Sequence, residues 1–117
     1  MRRDPQAYLG DIRTAADEIV AFTAGKDAAV YLSDPLLRAA VERKFSIIGE
    51  ALTQLARLDP ALAERITDYR RIIGFRNILV HGYADVDDTL VWDAVVSRLP
   101  RLRIEVAALL PDDSAHS

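Results

Sequence analysis

The sequence predicts an all-α protein, an antiparallel bundle of four to five helices. Three observations predict it. Apolar residues recur at spacings of three and four along nearly the whole chain. A polar residue followed by proline, the usual start of a helix, occurs at Asp34-Pro35 and again at Asp59-Pro60. No segment alternates apolar and polar side chains over the length of a strand. The links between periodic segments are short, so neighbouring helices run in opposite directions.

The first helix places Tyr8, Leu9, Ile12, Ala15, Ala16, Ile19 and Val20 on one side, and Gly25 stops it. The second opens at Ser33-Asp34-Pro35, where proline's missing N–H costs nothing. Its stripe runs Leu36, Leu37, Ala40, Val41, Phe45, Ile48, Leu52, Leu55 and Leu58. A short helical stretch follows over Ala61 to Ile66, capped by Asp59. Asp68 is the expected cap of a third main helix that holds Tyr69, Ile72, Ile73, Phe75, Leu79 and Val80 and ends at Gly82. Asp87 or Asp88 caps the last, with Leu90, Val91, Trp92, Val95, Val96 and Leu99. Pro100 should kink or break it, because proline lacks the N–H and clashes one turn back. Leu102, Ile104, Val106, Leu109 and Leu110 continue the pattern beyond.

The chain has 117 residues, which suits one domain and leaves no room for two. The reading is a helical domain over 1–110 and a flexible polar tail over 111–117. Cysteine is absent, which excludes disulfides, thiolate metal sites and Cys nucleophiles and fits a cytoplasmic protein. No stretch approaches the roughly 18 apolar residues of a membrane helix, so no membrane partner is expected. The net charge of −3 argues against a dedicated nucleic-acid coat. Nearly all of the 15 cationic side chains are Arg, however, whose fork matches phosphate oxygens in pairs. A GC-rich genome would give the same Arg excess. Apolar residues outside the main stripes, Ile47 among them, point to a covered face and hence a two-fold homodimer.

Two histidines are present. His116 sits in the polar tail. His81 ends the third helix, with Gly82 after it and Arg76 five residues before. Residues five apart on an α-helix stand ~140° apart around its axis. Arg76 and His81 therefore converge only if the backbone loosens near Gly82, or if a symmetry mate completes the pair. Guanidinium and imidazole are the parts that RNA cleavage without metal requires. A 2′-hydroxyl attacks the adjacent phosphate, imidazole moves a proton, and guanidinium holds the phosphate and its extra transition-state charge. Tyr83 offers a hydrogen bond or a stacking face. The plain alternative is a histidine that caps the last carbonyls of its helix.

Other residues carry both a structural and a functional reading. Glu50 follows Gly49, whose small size permits close helix approach, and its carboxylate can meet and orient an Arg of the 76–83 segment or simply face water. Arg70 and Arg71 form either a solvated face or a phosphate-binding rim. Asp85, Asp87 and Asp88 read as helix caps in preference to a metal cluster. Trp92 and Tyr8 read as core or dimer residues. No cofactor and no metal are expected.

The string Arg76-Asn77-Ile78-Leu79-Val80-His81-Gly82-Tyr83 resembles the Arg-x4-His-x-Tyr signature of the HepT toxins, members of the HEPN superfamily. Phe45-Ser46-Ile47-Ile48-Gly49-Glu50-Ala51 resembles a segment of that family's second helix, and Arg71-Ile72-Ile73-Gly74-Phe75 the run into its Arg-Asn. Val86-Asp87, Val91-Trp92 and Leu99-Pro100-Arg101-Leu102 extend the likeness, which spans Tyr8 to about Leu110. Asp68-Tyr69 departs from the Pro-Trp of many members, a change that bears on packing more than chemistry.

The resemblance implies a dimeric helical bundle with two copies of the motif in a cleft at the interface. It implies a metal-independent endoribonuclease toxin of a type VII-like toxin–antitoxin pair, with Arg76 and His81 as catalytic residues. Asn77 and Glu50 fall in positioning roles. Tyr83 matches the tyrosine to which a partner MntA-type nucleotidyltransferase transfers AMP, which silences the toxin. The alternative within the resemblance is a catalytically silent adaptor or antitoxin that only binds the nucleotidyltransferase.

Overall fold

The computed structural model describes residues 4–82 and 86–111, and these are helical with no strand among them. Tyr83, Asp85 and residues 112–117 of the predicted tail lie outside the described residues. Among the described residues no helix is long and apolar enough to cross a membrane.

Helix α1 spans Pro5–Thr23. Asp4 caps it by accepting from the Ala7 N–H at 2.9 Å, which satisfies one of the four donors a helix start leaves open. Its buried residues are Leu9, Ile12, Ala15, Ala16 and Ile19, the centre of the predicted stripe. Gly25 follows its end at φ 72°, a left-handed conformation that glycine adopts without a Cβ penalty. Helix α2, Ala28–Ser33, is an element the periodicity did not predict. Its six residues bury only Tyr31, and one buried position makes no period.

Helix α3, Pro35–Leu58, forms the spine. Asp34 accepts from the Leu37 N–H at 3.1 Å, and Pro35 sits in the first turn, as the start signal predicts. Leu37, Val41, Phe45, Ile48, Leu52 and Leu55 are its buried large residues, at spacings of four, four, three, four and three. α1 lies along α3 in the opposite direction: Glu18 meets Lys44 at 3.2 Å, while Tyr8 shares a hollow with Gln54.

Helix α4 is Pro60–Ala63, capped by Asp59, and is shorter than the stretch to Ile66 that was expected. The chain turns after Ala63, although Ile66 remains buried. That turn is tied to the C-terminal helix, because Thr67 donates from its backbone and its hydroxyl to Glu105 at 3.0 and 2.6 Å. Asp68 is not a side-chain cap: it sits at φ 58° and its carboxylate makes no capping bond. Its carbonyl instead accepts from Arg71 and Ile72 at 2.9 and 3.1 Å, and Asp is among the few residues that tolerate this left-handed turn. Helix α5 then spans Tyr69–His81.

Asp87 caps helix α6, Asp88–Asp93, by accepting from the Thr89 N–H. A π-helical stretch, Ala94–Arg98, joins it to helix α7, Leu99–Leu109. Pro100 therefore neither breaks nor ends the helix. The Leu99 N–H reaches back five residues to the Ala94 carbonyl, and this wider turn relieves the ladder one turn before the ring that would otherwise collide with it. Arg103 on α7 grips Asp17 of α1 at 2.9 Å.

Tyr31 pins α2 to α6 by packing on Trp92, with ring centroids 5.3 Å apart. Its hydroxyl is buried with no hydrogen-bond partner among the described residues. Burial, then the charges of Glu42 and Asp88, push its phenol far above the ordinary range. Burial likewise raises Glu42, aided by Asp88 and opposed by Arg38. A carboxyl raised in the folded chain binds more protons there than in the unfolded chain. Stability therefore falls as pH climbs from the ordinary carboxylate value through the raised one. Glu42→Gln is expected to remove that part of the decline, raising the melting temperature at pH 7 relative to the parent but not near pH 4. Melting curves at both pH values check this.

Candidate active site

Arg76, Asn77 and His81 stand on the last two turns of α5, which packs chiefly on α3. The contact depends on a missing side chain. A Cβ at Gly49 would overlap the Cβ and Cγ of Arg76, so the Arg76 stem lies on bare helix backbone. From there the guanidinium meets two acceptors. Its NH2 pairs with the Glu50 carboxylate at 3.0 Å, and its NH1 donates to the Asn77 side-chain carbonyl at 3.1 Å. Its Nε is buried without a partner among the described residues, so the terminal nitrogens alone serve as its working donors. Gln54 steadies the arrangement by donating to the other Glu50 oxygen at 3.1 Å.

Arg76 keeps about 25% of its side chain exposed and Glu50 about 50%, so a phosphate can reach the held guanidinium. Asn77 spends its carbonyl on Arg76, and the residue is exposed. His81 lies one turn beyond Asn77 on the same side of α5, since residues four apart differ by ~40° around the axis. It is exposed, and its imidazole has no hydrogen-bond partner among the described residues. Gly82 closes the helix with a bond from its N–H to the Ile78 carbonyl at 2.8 Å. The backbone therefore does not loosen before His81, and within one chain Arg76 and His81 remain well apart around the helix.

Arg70 and Arg71 take different parts. Arg70 pairs with Glu64 at 3.1 Å and lies over the Tyr69 ring. Arg71 has no ion pair among the described residues and lines a groove between α5 and the C-terminal helices. That groove, of about 460 Å³, is mostly apolar, with Phe45, Phe75, Ile78, Leu90 and Leu99 in its walls and Arg98 opposite Arg71. Ile78 on α5 and Leu90 on α6 are 54% and 61% exposed, apolar side chains that the described residues leave uncovered. Among the described residues no three His, Asp or Glu side chains gather as a cation site; Asp87 caps α6 and Asp88 pairs with Arg38 at 3.4 Å.

Sequence reasoning did not single out Gln54, Arg43 or Ser46. All three line a second hollow beside Arg76. Their spacing along α3 resembles any solvated helix face, and only the approach of α1 and α5 distinguishes them.

The family model for HepT-like ribonucleases matches residues 12–109. A Methanocaldococcus jannaschii protein named "Putative RNase MJ1380" is 32% identical over 107 residues, covering 90% of this chain and 95% of that protein. A second from the same organism, "Putative RNase MJ0125", is 28% identical over 111 residues, covering 95% of each. The Thermococcus cleftensis protein "Probable ribonuclease HepT" is 32% identical over 107 residues, covering 88% of this chain and 93% of its own. No solved structure matches the chain at a significant level.

Proposed function

The chain belongs to the HepT-like ribonuclease family, and from that premise we propose that it is a metal-independent endoribonuclease acting on RNA as a homodimer. The observation that carries the reading is the held guanidinium of Arg76, with its tip between Glu50 and Asn77, on the same helix as an unpartnered, exposed His81. The 2′-hydroxyl attacks the neighbouring phosphorus and gives up its proton as the new P–O bond forms. The bond to the 5′-oxygen breaks, and that oxygen takes up a proton. The products are a 2′,3′-cyclic phosphate and a 5′-hydroxyl end. His81 carries one of the two protons. Arg76 binds the non-bridging oxygens and meets the charge that grows on them, with Asn77 as a further donor. Glu50 orients Arg76. Arg71 belongs to the phosphate-binding rim, and Arg70, drawn to Glu64, to its outer edge.

The exposed apolar side chains of Ile78 on α5 and Leu90 on α6 support association of two copies. In the proposed dimer a second copy brings the two motif helices together and sets His81 of each chain near Arg76 of the other. Incubation of the purified chain with RNA and excess chelator tests the chemistry. Cleavage is expected to persist undiminished and to leave cyclic phosphate ends. Loss of cleavage with the chelator, restored by a divalent ion, would refute the metal-independent mechanism. RNA left intact in both conditions favours the silent adaptor.

Tyr83 follows His81 by two residues. We assign it the modification role: AMP units added there by a partner nucleotidyltransferase place phosphate charge and bulk beside the cleft and repel RNA. Such a pair constitutes a toxin with its antitoxin. Co-expression with a nucleotidyltransferase encoded beside this chain is expected to raise its mass by whole AMP units and to relieve growth arrest. Tyr83→Phe should keep its mass. An unmodified parent beside an active partner removes this mode of control.

A further inference from the structure

A second hollow, of about 350 Å³, lies along α3 between α1 and α5, and Arg76 forms part of its wall. Its size is near the lower end for small-ligand sites. Arg43, Ser46, Glu50 and Gln54 of α3 line it together with Tyr8 and Asp11 of α1. The formal charges of its lining cancel, two arginines against two carboxylates, so the hollow itself adds little for a phosphate beyond what Arg76 holds at its rim. A neutral planar group gains more. Tyr8 brings an aromatic ring to the lining, with Ile47 and Val80 as apolar neighbours.

The edges of such a group find hydrogen-bonding capacity that the fold leaves unused. The Ser46 hydroxyl and the Arg43 guanidinium have no partner among the described residues, and Gln54 commits only its amide nitrogen, to Glu50. In RNA the neutral, flat group with polar edges is an unpaired base, which proteins read by stacking and by hydrogen bonds along its rim. Because Arg76 borders this hollow and also forms the phosphate site, a base seated here belongs to a nucleotide next to the phosphate being cut.

We propose that the hollow between α1, α3 and α5 receives an unpaired nucleobase adjoining the scissile phosphate and so gives the enzyme a base preference. Arg43, Ser46 and Gln54 read the base, and Tyr8 supports its face. This rests on the ribonuclease reading above. The step adds no new chemistry; it chooses which phosphate reaches Arg76.

The test separates binding from cleavage. In a His81→Ala background, fluorescence anisotropy measures the affinity of the dimer for labelled penta-adenylate, penta-uridylate, penta-cytidylate and penta-guanylate. One oligonucleotide is expected to bind best. Ser46→Ala and Gln54→Ala added together should erase that preference, by about fivefold for each hydrogen bond lost. Arg57→Ala, away from the hollow, should keep it. Equal affinity for all four oligonucleotides, or a preference that survives the double substitution, overturns the proposal. So does conversion of the dimer to monomers by the double substitution in sedimentation, since the hollow would then be a protein interface. The ribonuclease reading fails on a different result, undiminished cleavage by His81→Ala, so the two failures are distinguishable.

Discussion

His81→Ala is expected to abolish RNA cleavage, by a factor of about 10² to 10⁴, and to leave the helical fold and its melting temperature unchanged. The size follows from what a positioned proton carrier contributes to catalysis. The lack of structural effect follows from exposure: His81 is outside the core and bonds to nothing among the described residues. A histidine that merely capped α5 would behave in reverse, costing stability and sparing activity. Arg76→Ala should lose cleavage to a similar degree, but with some loss of stability, because it strips Glu50 of its partner and uncovers Gly49. The two variants together settle whether the site is shared between subunits. In a mixed dimer of Arg76→Ala with His81→Ala, one site combines both losses and the other is intact. Random mixing gives such dimers half the time, so the mixture should regain about a quarter of parental activity. A site contained within one chain regains none. Full cleavage by His81→Ala would remove the histidine from the mechanism altogether.

How much of this was legible depended on what kind of information each feature needs. Asp34-Pro35 and the stripe from Leu37 to Leu55 needed only neighbours in sequence, and α3 follows them. α2 escaped because its single buried residue, Tyr31, owes its burial to Trp92 some sixty positions away. Asp68 has the composition of a cap, yet Thr67 beside it is bound to Glu105 and the turn takes a left-handed path instead. The expectation that Pro100 kinks or breaks the helix assumes a standard α-helical ladder; the π stretch before it removes that assumption, and the helix runs on through it.

The site divides in the same way. The Arg76–Glu50 contact was foreseeable from the glycine next to Glu50, since a residue without a side chain marks where another helix comes close. The spacing of Arg76 and His81 also foretold their separation around the helix, which the closed turn at Gly82 maintains. The hollow beside Tyr8 was not foreseeable. It is made by three helices whose crossing angles no periodicity records, and Arg43, Ser46 and Gln54 acquire a role only where those helices meet.

Gly49→Ala brings the energetics of packing and the chemistry of the site together. In the middle of an ordinary helix, glycine to alanine stabilises a protein by roughly 0.5–1 kcal/mol, because the chain loses less freedom on folding. Here the sign should invert. The new methyl would occupy the position of the Arg76 Cβ and Cγ, and the crowding is with a stem fixed to its own backbone, so α5 itself must move. Overpacking of this kind costs about 1–3 kcal/mol, enough to outweigh the propensity gain and lower the melting temperature by several degrees. The shift also carries the Arg76 head away from Glu50 and Asn77, so cleavage should fall at least about tenfold even where the protein stays folded. Gly74→Ala is the internal control. A Cβ there meets nothing within 4 Å, so the single chain should be as stable as the parent or slightly more so. If Gly49→Ala melts no lower than Gly74→Ala and cuts RNA like the parent, then α5 does not depend on that close approach, and the guanidinium is held by its ion pair alone.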